Sequence, residues 1–415
     1  MHRHIAHRRL PAASILSLAL LAALSTPAFA ADPACVDTAG NPTGASTDQG
    51  NEGGTDNATC ASATSAFGHS NVASGIDSST FGSYNVASGY EGSAFGVGNF
   101  APGQWSSAFG GFNPATALDS SAFGFNNRAK GEYGSALGYR NLATANASSA
   151  LGFRATTVGT GSTALAGWYD AHNNGAEDID LDLDQDGINE SSSETAYTTG
   201  TSAVALGAGV AAKGNYSVAI GVDNSAEGQN SMAIGSHNVA GVGALAYGVS
   251  NSVEPNSSAF GFGNAVFGSS NYAFGGGNHV EGLGNNVFGL NSNVEGTNAN
   301  AFGIINEVQG DRANGYGYNN KAYGADSSAF GNGNFAGGVS SGAFGYGNNA
   351  GAPRSSAIGY RNTTWSVDST AFGYGGTAFG VGSLSVSSWF DLNGNGVMDF
   401  DLDAAGNPGC PTVDC

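Results

Sequence analysis

Large apolar side chains recur along this chain at a fixed interval, each preceded by a small residue and followed by glycine. Ala66-Phe67-Gly68, Ala108-Phe109-Gly110 and Ala343-Phe344-Gly345 are examples. The glycines are 14 residues apart in two arrays, apart from two steps of 13 around Gly248. They are Gly68, Gly82, Gly96, Gly110, Gly124, Gly138 and Gly152, then Gly207, Gly221, Gly235, Gly248, Gly261, Gly275, Gly289, Gly303, Gly317, Gly331, Gly345, Gly359 and Gly373. A period of this kind is the mark of a stacked repeat architecture.

Each repeat reads as two short strands and two turns. Three residues after the glycine an asparagine recurs, as at Asn71 and Asn264, and a small apolar residue follows two positions later. Glycine and asparagine supply turn conformations that branched residues adopt only at a cost. Glycine at this frequency also disfavours a helix, and a disordered chain has no reason to keep large apolar residues in register. The sequence therefore predicts an all-β solenoid of 14-residue turns.

Stacking would align the phenylalanines in one row and the asparagines in a hydrogen-bonded ladder. We predict that the row is buried as a structural core, each side chain contributing roughly 1.5–3 kcal/mol. The sequence leaves open whether the row faces the interior of the solenoid or a seam between chains. The predicted core residues are Phe67, Phe81, Phe95, Phe109, Phe123, Phe260, Phe274, Phe288, Phe302, Phe330, Phe344 and Phe372.

Two acidic segments interrupt or follow the arrays and resemble each other. The predicted organisation is a polar segment (31–61), array 1 (62–167), an acidic insertion (168–200), array 2 (201–388) and an acidic C-terminal segment (389–415). Oxygen-bearing side chains at alternate positions followed by glycine are typical of calcium loops. The alternative is a solvated acidic loop. The predicted calcium ligands are Asp180, Asp182, Asp184, Asp186 and Glu190 in the first segment, and Asp391, Asn393, Asn395, Asp399 and Asp401 in the second.

The N-terminal residues and the charge place the protein outside the cytoplasm. Basic residues up to Arg9, an apolar run from Ile15 to Leu24 and Ala28-Phe29-Ala30 predict a cleaved signal peptide over residues 1–30. Its removal takes away three arginines and changes the net charge from −20 to −23. So acidic a protein repels nucleic acid and anionic membranes, which excludes both as partners. No later apolar stretch is long enough to span a membrane.

The four cysteines lie near the two ends of the mature chain. In an exported protein this favours disulfides over metal binding or catalysis. The simplest pairings join Cys35 to Cys60 and Cys410 to Cys415. Bonds between chains of an oligomer are the alternative.

Signals for catalysis are weak. Gly338-Val339-Ser340-Ser341-Gly342 has the form of a nucleophile elbow but lies inside a repeat, without the strand-to-helix context that this motif requires. Phosphate-binding and dinucleotide-binding patterns are lacking. We therefore expect no enzyme activity and no catalytic residues.

The repeats resemble the head domains of YadA-like trimeric autotransporter adhesins. The best stretches are Gly214 to Gly221, which contains Ser-Val-Ala-Ile-Gly, and Asn230 to Gly235. The resemblance covers about residues 62–167 and 200–382. It implies a left-handed parallel β-roll, three chains around one axis, and binding to host or environmental surfaces. Phenylalanine replaces the usual Ile or Val in most copies, and the family's stalk and membrane anchor are not recognisable.

The expected function is that of a secreted or cell-surface, outer-membrane-associated adhesin whose binding face is extended and multivalent. The partners would be two further copies of the chain and a surface polymer or protein, with calcium as the cofactor. The alternative is a secreted structural component of a matrix or sheath. An ice-binding or surface-binding solenoid is a third possibility, although no threonine recurs at a fixed position.

Overall fold

The computed structural model describes residues 32–167 and 196–387, and every regular element in these ranges is a β-strand. The strands form two parallel ladders that run the length of a solenoid. In the described part of the chain no helix is long and apolar enough to cross a membrane.

The first ladder consists of 23 strands, which we call the long strands, most of them five residues long. Each pairs in parallel with the strand one turn before and one turn after, so that Phe95, Phe109 and Phe123 are in register. At about 4.8 Å per turn the ladder is on the order of 100 Å long. The long strands are Asn51–Thr55, Ser65–His69, Ser79–Ser83, Ser93–Val97, Ser107–Gly111, Ser121–Phe125, Ser135–Tyr139, Ser149–Phe153, Thr163–Ala166, Val204–Ala208, Val218–Val222, Met232–Ser236, Leu245–Val249, Ser258–Phe262, Tyr272–Gly276, Asn286–Leu290, Asn300–Ile304, Asn314–Tyr318, Ser328–Asn332, Gly342–Tyr346, Ser356–Tyr360, Thr370–Tyr374 and Leu384–Ser387.

The second ladder forms the opposite wall from shorter strands, which we call the short strands. Isolated bridges from Phe100 to Pro114 and from Ala115 to Ala129 connect its two parts. The short strands are Ala58–Thr59, Val72–Ala73, Val86–Ala87, Phe100–Ala101, Arg128–Ala129, Leu142–Ala143, Ala155–Thr157, Ala196–Thr198, Val210–Ala212, Ser225–Ala226, Val239–Ala240, Ser252–Val253, Ala265–Ser269, His279–Leu283, Asn293–Thr297, Glu307–Val308, Lys321–Ala322, Phe335–Ala336, Asn349–Ala350, Thr363–Thr364 and Thr377–Ala378.

Both ladders continue in register across the first acidic segment. Short strand Ala155–Thr157 pairs with Ala196–Thr198, and long strand Thr163–Ala166 pairs with Val204–Ala208. The two predicted arrays therefore belong to one ladder. The second acidic segment follows the last long strand, Leu384–Ser387, so both segments begin at the same point of a turn.

The interior of the solenoid is lined by small residues and asparagine, so the phenylalanine row does not face the interior, which was one of the two positions that the sequence left open. Ala66 and Ala108 are completely buried, whereas Phe81 is 58% exposed. Side chains alternate along a strand, and the space between two facing strands of so short a turn accommodates alanine but not a phenyl ring. The predicted core residues therefore lie on the outer face of the long strands, half-buried or exposed: Phe67, Phe81, Phe95, Phe109, Phe123, Phe260, Phe274, Phe288, Phe302, Phe330, Phe344 and Phe372.

The predicted asparagine ladder is confirmed. Nδ2 of Asn113 donates to Oδ1 of Asn99 at 2.9 Å and also to two backbone carbonyl oxygens, those of Phe109 and Gly124. Oδ1 of Asn113 accepts hydrogen bonds from the backbone N–H and Nδ2 of Asn127. Each buried asparagine thus satisfies polar groups of its own turn and of both neighbouring turns.

The glycine at the fourth position of most long strands is required by the close approach of adjacent turns. Gly110 has a φ of +112°, and a Cβ placed on it would lie 2.1 Å from the carbonyl oxygen of Gly124. Any side chain would therefore both strain the backbone and collide with the next turn.

A small antiparallel hairpin, Cys35–Val36 with Pro42–Gly44, precedes the first turn of the solenoid. A disulfide between Cys35 and Cys60 attaches this hairpin to the start of the ladder, as the sequence predicted. Cys410 and Cys415 lie outside the described residues.

Candidate binding surfaces

The outer face of the long strands is a continuous apolar surface, which we call the aromatic face. It is formed by the first, third and fifth residues of each long strand, since the second points into the interior. The third residue is Phe, Leu, Ile, Tyr or Val in every long strand except Asn51–Thr55, where it is Gly53. The row of third residues is therefore apolar in every long strand of the described solenoid except the first.

Rings on consecutive turns stack along this face. The rings of Phe109 and Phe123 have centroids 4.9 Å apart and are inclined by 3°. The parallel register forces this arrangement, since identical residues sit one above another at the spacing of adjacent strands. An uninterrupted stack of seven rings consists of Phe260, Phe274, Phe288, Phe302, Tyr316, Phe330 and Phe344.

A second aromatic row on the same face was not predicted. It occupies the fifth position of the long strands, immediately after the repeat glycine. Tyr139 and Phe153 stack at 5.1 Å, and Tyr360 stacks at 4.8 Å on Tyr374. Arg140 lies 5.2 Å above the ring of Tyr139. The aromatic residues that follow Gly138, Gly152, Gly359 and Gly373 in the sequence were the signal that could have revealed this row.

The aromatic face carries no formal charge. Among the first, third and fifth residues of the 23 long strands there is no Asp, Glu, Lys or Arg, although the chain has 32 acidic residues. The short-strand wall is different, since it presents Arg128, Glu281 and the ion pair of Lys321 with Glu307 at 2.9 Å. Most formal charges in the described part of the chain thus lie on the short-strand wall and at the corners.

In the middle of the solenoid, the first residue of several consecutive long strands is an asparagine on the aromatic face. Nδ2 of Asn286 donates to Oδ1 of Asn300 at 2.9 Å, and Nδ2 of Asn300 donates to Oδ1 of Asn314 at 3.0 Å. These residues flank the stacked rings and bond to each other along the solenoid. The face can therefore be covered while several of its polar groups remain satisfied.

The predicted calcium ligands lie outside the described residues, so the structure brings none of them together. These are Asp180, Asp182, Asp184, Asp186, Glu190, Asp391, Asn393, Asn395, Asp399 and Asp401. Within residues 32–167 and 196–387 no group of three or more His, Cys, Asp or Glu side chains is arranged to hold a metal ion. Calcium binding stays a prediction.

Exposed ion pairs link turns at one corner of the solenoid. Arg312 bonds Asp326 and Arg354 bonds Asp368, each through both guanidinium and carboxylate edges. The hydrogen bond from Arg312 is the main cause that lowers the pKa of Asp326. Both pairs are exposed, and the two residues of each pair lie one turn apart, so the pairs contribute to stacking rather than to a binding pocket.

Comparison with protein families gives two matches to the YadA head domain repeat, over residues 115–141 and 212–238. No curated protein matches the chain. Both matched segments begin at a buried alanine of the second ladder, Ala115 or Ala212, and end at a buried asparagine, Asn141 or Asn238. Each therefore spans the same two turns of the repeat, in a ladder whose other turns keep the same register. Two stretches of the parallel β-solenoid thus match the YadA head domain repeat, and the rest of the ladder repeats the same turn.

Proposed function

We propose that this protein is the head of a trimeric surface adhesin, in which three solenoids pack with their aromatic faces toward a common axis. The observation that carries the proposal is the aromatic face itself, apolar and without a formal charge along 23 strands of a strongly acidic chain. The YadA-like head repeats support the adhesive role and the number of chains.

The exposure of the aromatic face is unfavourable in an isolated chain. Phe81 and Phe372 are 58% and 52% exposed, in a row that extends along almost the whole solenoid. Monomeric proteins rarely expose an apolar surface of this extent, and larger patches mark interaction sites. The thin interior of alanine and asparagine buries little apolar area of its own. Association through the aromatic face supplies the burial that the separate chain lacks.

The remaining walls stay accessible in such an assembly. The short strands and both corners repeat the same backbone geometry at each turn, so a ligand contact can recur along the rod. Weak contacts of this kind gain avidity when several engage one surface at once. An adhesin needs no deep pocket, and this architecture offers an extended surface instead.

We also propose that the protein is located at the cell surface and that its acidic segments bind calcium. The predicted signal peptide and the YadA-like repeats support export to the cell surface. The two acidic segments begin at equivalent points of a turn, after Gly167 and Ser387, and their alternating oxygen ligands suit calcium at the concentrations found outside cells. Calcium would order these segments where they leave the solenoid.

Cysteine cross-linking tests the proposed packing. Phe302→Cys and Phe330→Cys place a thiol on the aromatic face, and Gln309→Cys places one on the charged wall as a matched control. A bismaleimide joins two thiols, and each chain carries one introduced thiol, so a short bismaleimide should join two of the three chains of Phe302→Cys or Phe330→Cys into a covalent dimer. It should leave Gln309→Cys at the background of the unsubstituted chain. Cross-linking of all three variants alike would contradict a specific seam.

Adhesion is tested by displaying the chain on a non-adherent bacterium. Attachment to immobilised polysaccharides and proteins should exceed that of cells displaying the Phe274→Ser, Phe302→Ser double variant, which interrupts the seam. Equal attachment by the two, at equal surface expression, would show that the assembled head is not the adhesive unit and would favour a purely structural role.

A further inference from the structure

Bulky aromatic residues occupy strained positions at one corner of the solenoid. The residue just before the buried small residue at this corner, usually serine, adopts the left-handed conformation, as in Trp105 and Tyr133 with φ of +57° and +58°. Other turns place Ala147, Gly161 or Asn230 there. Glycine and asparagine tolerate this conformation, whereas a bulky side chain in it is an outlier. The fold therefore does not require the aromatic residues.

Packing does not account for these residues either. Trp105 is 44% exposed and Tyr133 is 57% exposed. The contact between Tyr90 and Trp105 is edge-to-face at 6.5 Å and leaves both rings accessible. Strained residues kept without a packing reason point to a function.

Hydrogen-bonding side chains surround the rings. We define the Trp105 corner as Tyr90, Glu91, Gln104, Trp105, Asp119 and Tyr133, all of them exposed. The backbone ladder fixes their order, since the N–H of Trp105 donates to Tyr90 O at 2.8 Å and that of Asp119 to Gln104 O at 2.9 Å. Trp105 and Tyr133 are two turns apart, roughly 10 Å along the solenoid, with the Asp119 carboxylate on the turn between them.

We infer that the Trp105 corner binds a neutral polysaccharide that runs along the solenoid axis. The rings of Trp105 and Tyr133 offer flat apolar platforms for the C–H faces of sugar rings. Glu91, Asp119 and Gln104 supply acceptors for hydroxyl groups, and Gln104 also donates. Carboxylates around the rings and the net charge of the chain disfavour sulfated or carboxylated polymers. The inference deepens the proposed adhesin function and rests on it for its biological setting.

The left-handed conformation of Trp105 allows a substitution that separates binding from stability. Trp105→Asn removes the platform and places a residue suited to the left-handed conformation, so the variant should unfold at the same temperature or a higher one while losing binding. Tyr216→Asn is the matched control, since Tyr216 has a φ of +58° and is 58% exposed at the equivalent position of a distant turn. It should give the same stability change and leave binding intact.

Binding is measured by electrophoresis of the purified chain in gels containing soluble cellulose derivatives, β-1,3-glucan, mannan or galactan, with alginate and heparin as anionic comparisons. We expect retardation in at least one neutral polymer and in neither anionic one, and a loss of affinity on the order of 10-fold in Trp105→Asn. Retardation by no neutral polymer, retardation by the anionic polymers alone, or an undiminished Trp105→Asn would overturn the inference.

Sedimentation of the same variants separates this site from the proposed seam. If Trp105→Asn lowers the oligomeric state, the corner is a contact between copies and the polysaccharide assignment is wrong. If the unsubstituted chain is a monomer and a neutral polymer still retards it more than it retards Trp105→Asn, the proposed trimer seam is wrong and the polysaccharide site is supported. A trimer that adheres equally well with and without Trp105 overturns the site alone.

Discussion

Removal of one rung of the asparagine ladder tests how the solenoid is held together. Asn113 is completely buried near the middle of the first part of the solenoid. The two hydrogens of its Nδ2 are shared among three acceptors, and its Oδ1 accepts two hydrogen bonds. Asn113→Ala removes all five contacts at once. Because the side chain is inside the solenoid, we expect Asn113→Ala to lower the stability far more than most substitutions on the outer surface.

The loss of stability in Asn113→Ala follows from the buried polar groups that lose their hydrogen-bond partner. The buried backbone N–H of Asn127 loses its bond to Oδ1 of Asn113, and an orphaned buried donor costs about 1–3 kcal/mol. The carbonyl oxygens of Phe109 and Gly124 each lose one donor, as does Oδ1 of Asn99, at roughly 1 kcal/mol for each hydrogen bond. Because the two hydrogens of Nδ2 make the equivalent of two such bonds, the sum is about 3–5 kcal/mol.

A serine at the same site provides a graded comparison, because the solenoid contains one naturally. Ser292 replaces asparagine in this ladder, and its Oγ accepts the N–H of Asn306 at 3.3 Å. Asn113→Ser can rescue the N–H of Asn127 in the same way. We expect it to cost about 1–3 kcal/mol less than Asn113→Ala, the value of that single donor.

Hydrogen exchange followed by mass spectrometry is the suitable assay, because each turn of a solenoid contacts mainly its neighbours and damage stays local at first. Protection of peptides spanning Asn99 to Asn127 should fall by a factor on the order of 100 in Asn113→Ala and by less in Asn113→Ser. Peptides from the far half of the solenoid should be unchanged. Equal protection in all three proteins would refute the ladder as a source of stability.

Three further predictions concern the interior, the corner ion pairs and the acidic segments. In chains dissociated by dilution, Ala108→Leu should cost about 1–3 kcal/mol by overfilling the interior, and Phe109→Ala only about 1 kcal/mol through lost ring stacking; the reverse order in thermal melts would put the phenyl ring inside. The hydrogen bond from Arg312 lowers the pKa of Asp326 in the folded protein. The pair therefore stabilises the fold fully at a pH above the ordinary carboxyl pKa of 3.8, and this stabilisation is lost as the pH falls through the lowered pKa of the folded state. Exchange near residue 312 should follow that acid transition, and a transition that persists in Asp326→Asn would contradict its assignment to this pair. Isothermal titration should show calcium binding weakened in Asp184→Ala, with affinities near 10⁻⁴–10⁻³ M; a melting curve that EDTA leaves unchanged at millimolar calcium would rule out a stabilising metal.

The period, the parallel ladders and the asparagine bonds could be predicted from the sequence, because glycine and asparagine recur where the backbone needs them. The sequence did not predict which side chains of a long strand point into the interior. Alternation separates Ala108 from Phe109 but does not say which one points inward. The enclosed volume decides this, and its signal is the uniformity of alanine beside a variable Phe, Leu, Ile or Tyr. A space of fixed size requires residues of fixed size.

Two other features depend on long-range register. The pairing of Ala155 with Ala196 across the acidic insertion follows from the stacking of whole turns, which no local pattern reports. The aromatic residues at the Trp105 corner were equally invisible, because their significance lies in the left-handed conformation of Trp105 and Tyr133. Both features arise from the stacking of consecutive turns.

The central claim is that the aromatic face is the seam of a trimer, and sedimentation equilibrium on the chain from residue 31 onward tests it most directly. The account predicts a single species of three times the chain mass at micromolar concentration. A monomer that remains folded, with the aromatic face in water, would contradict it.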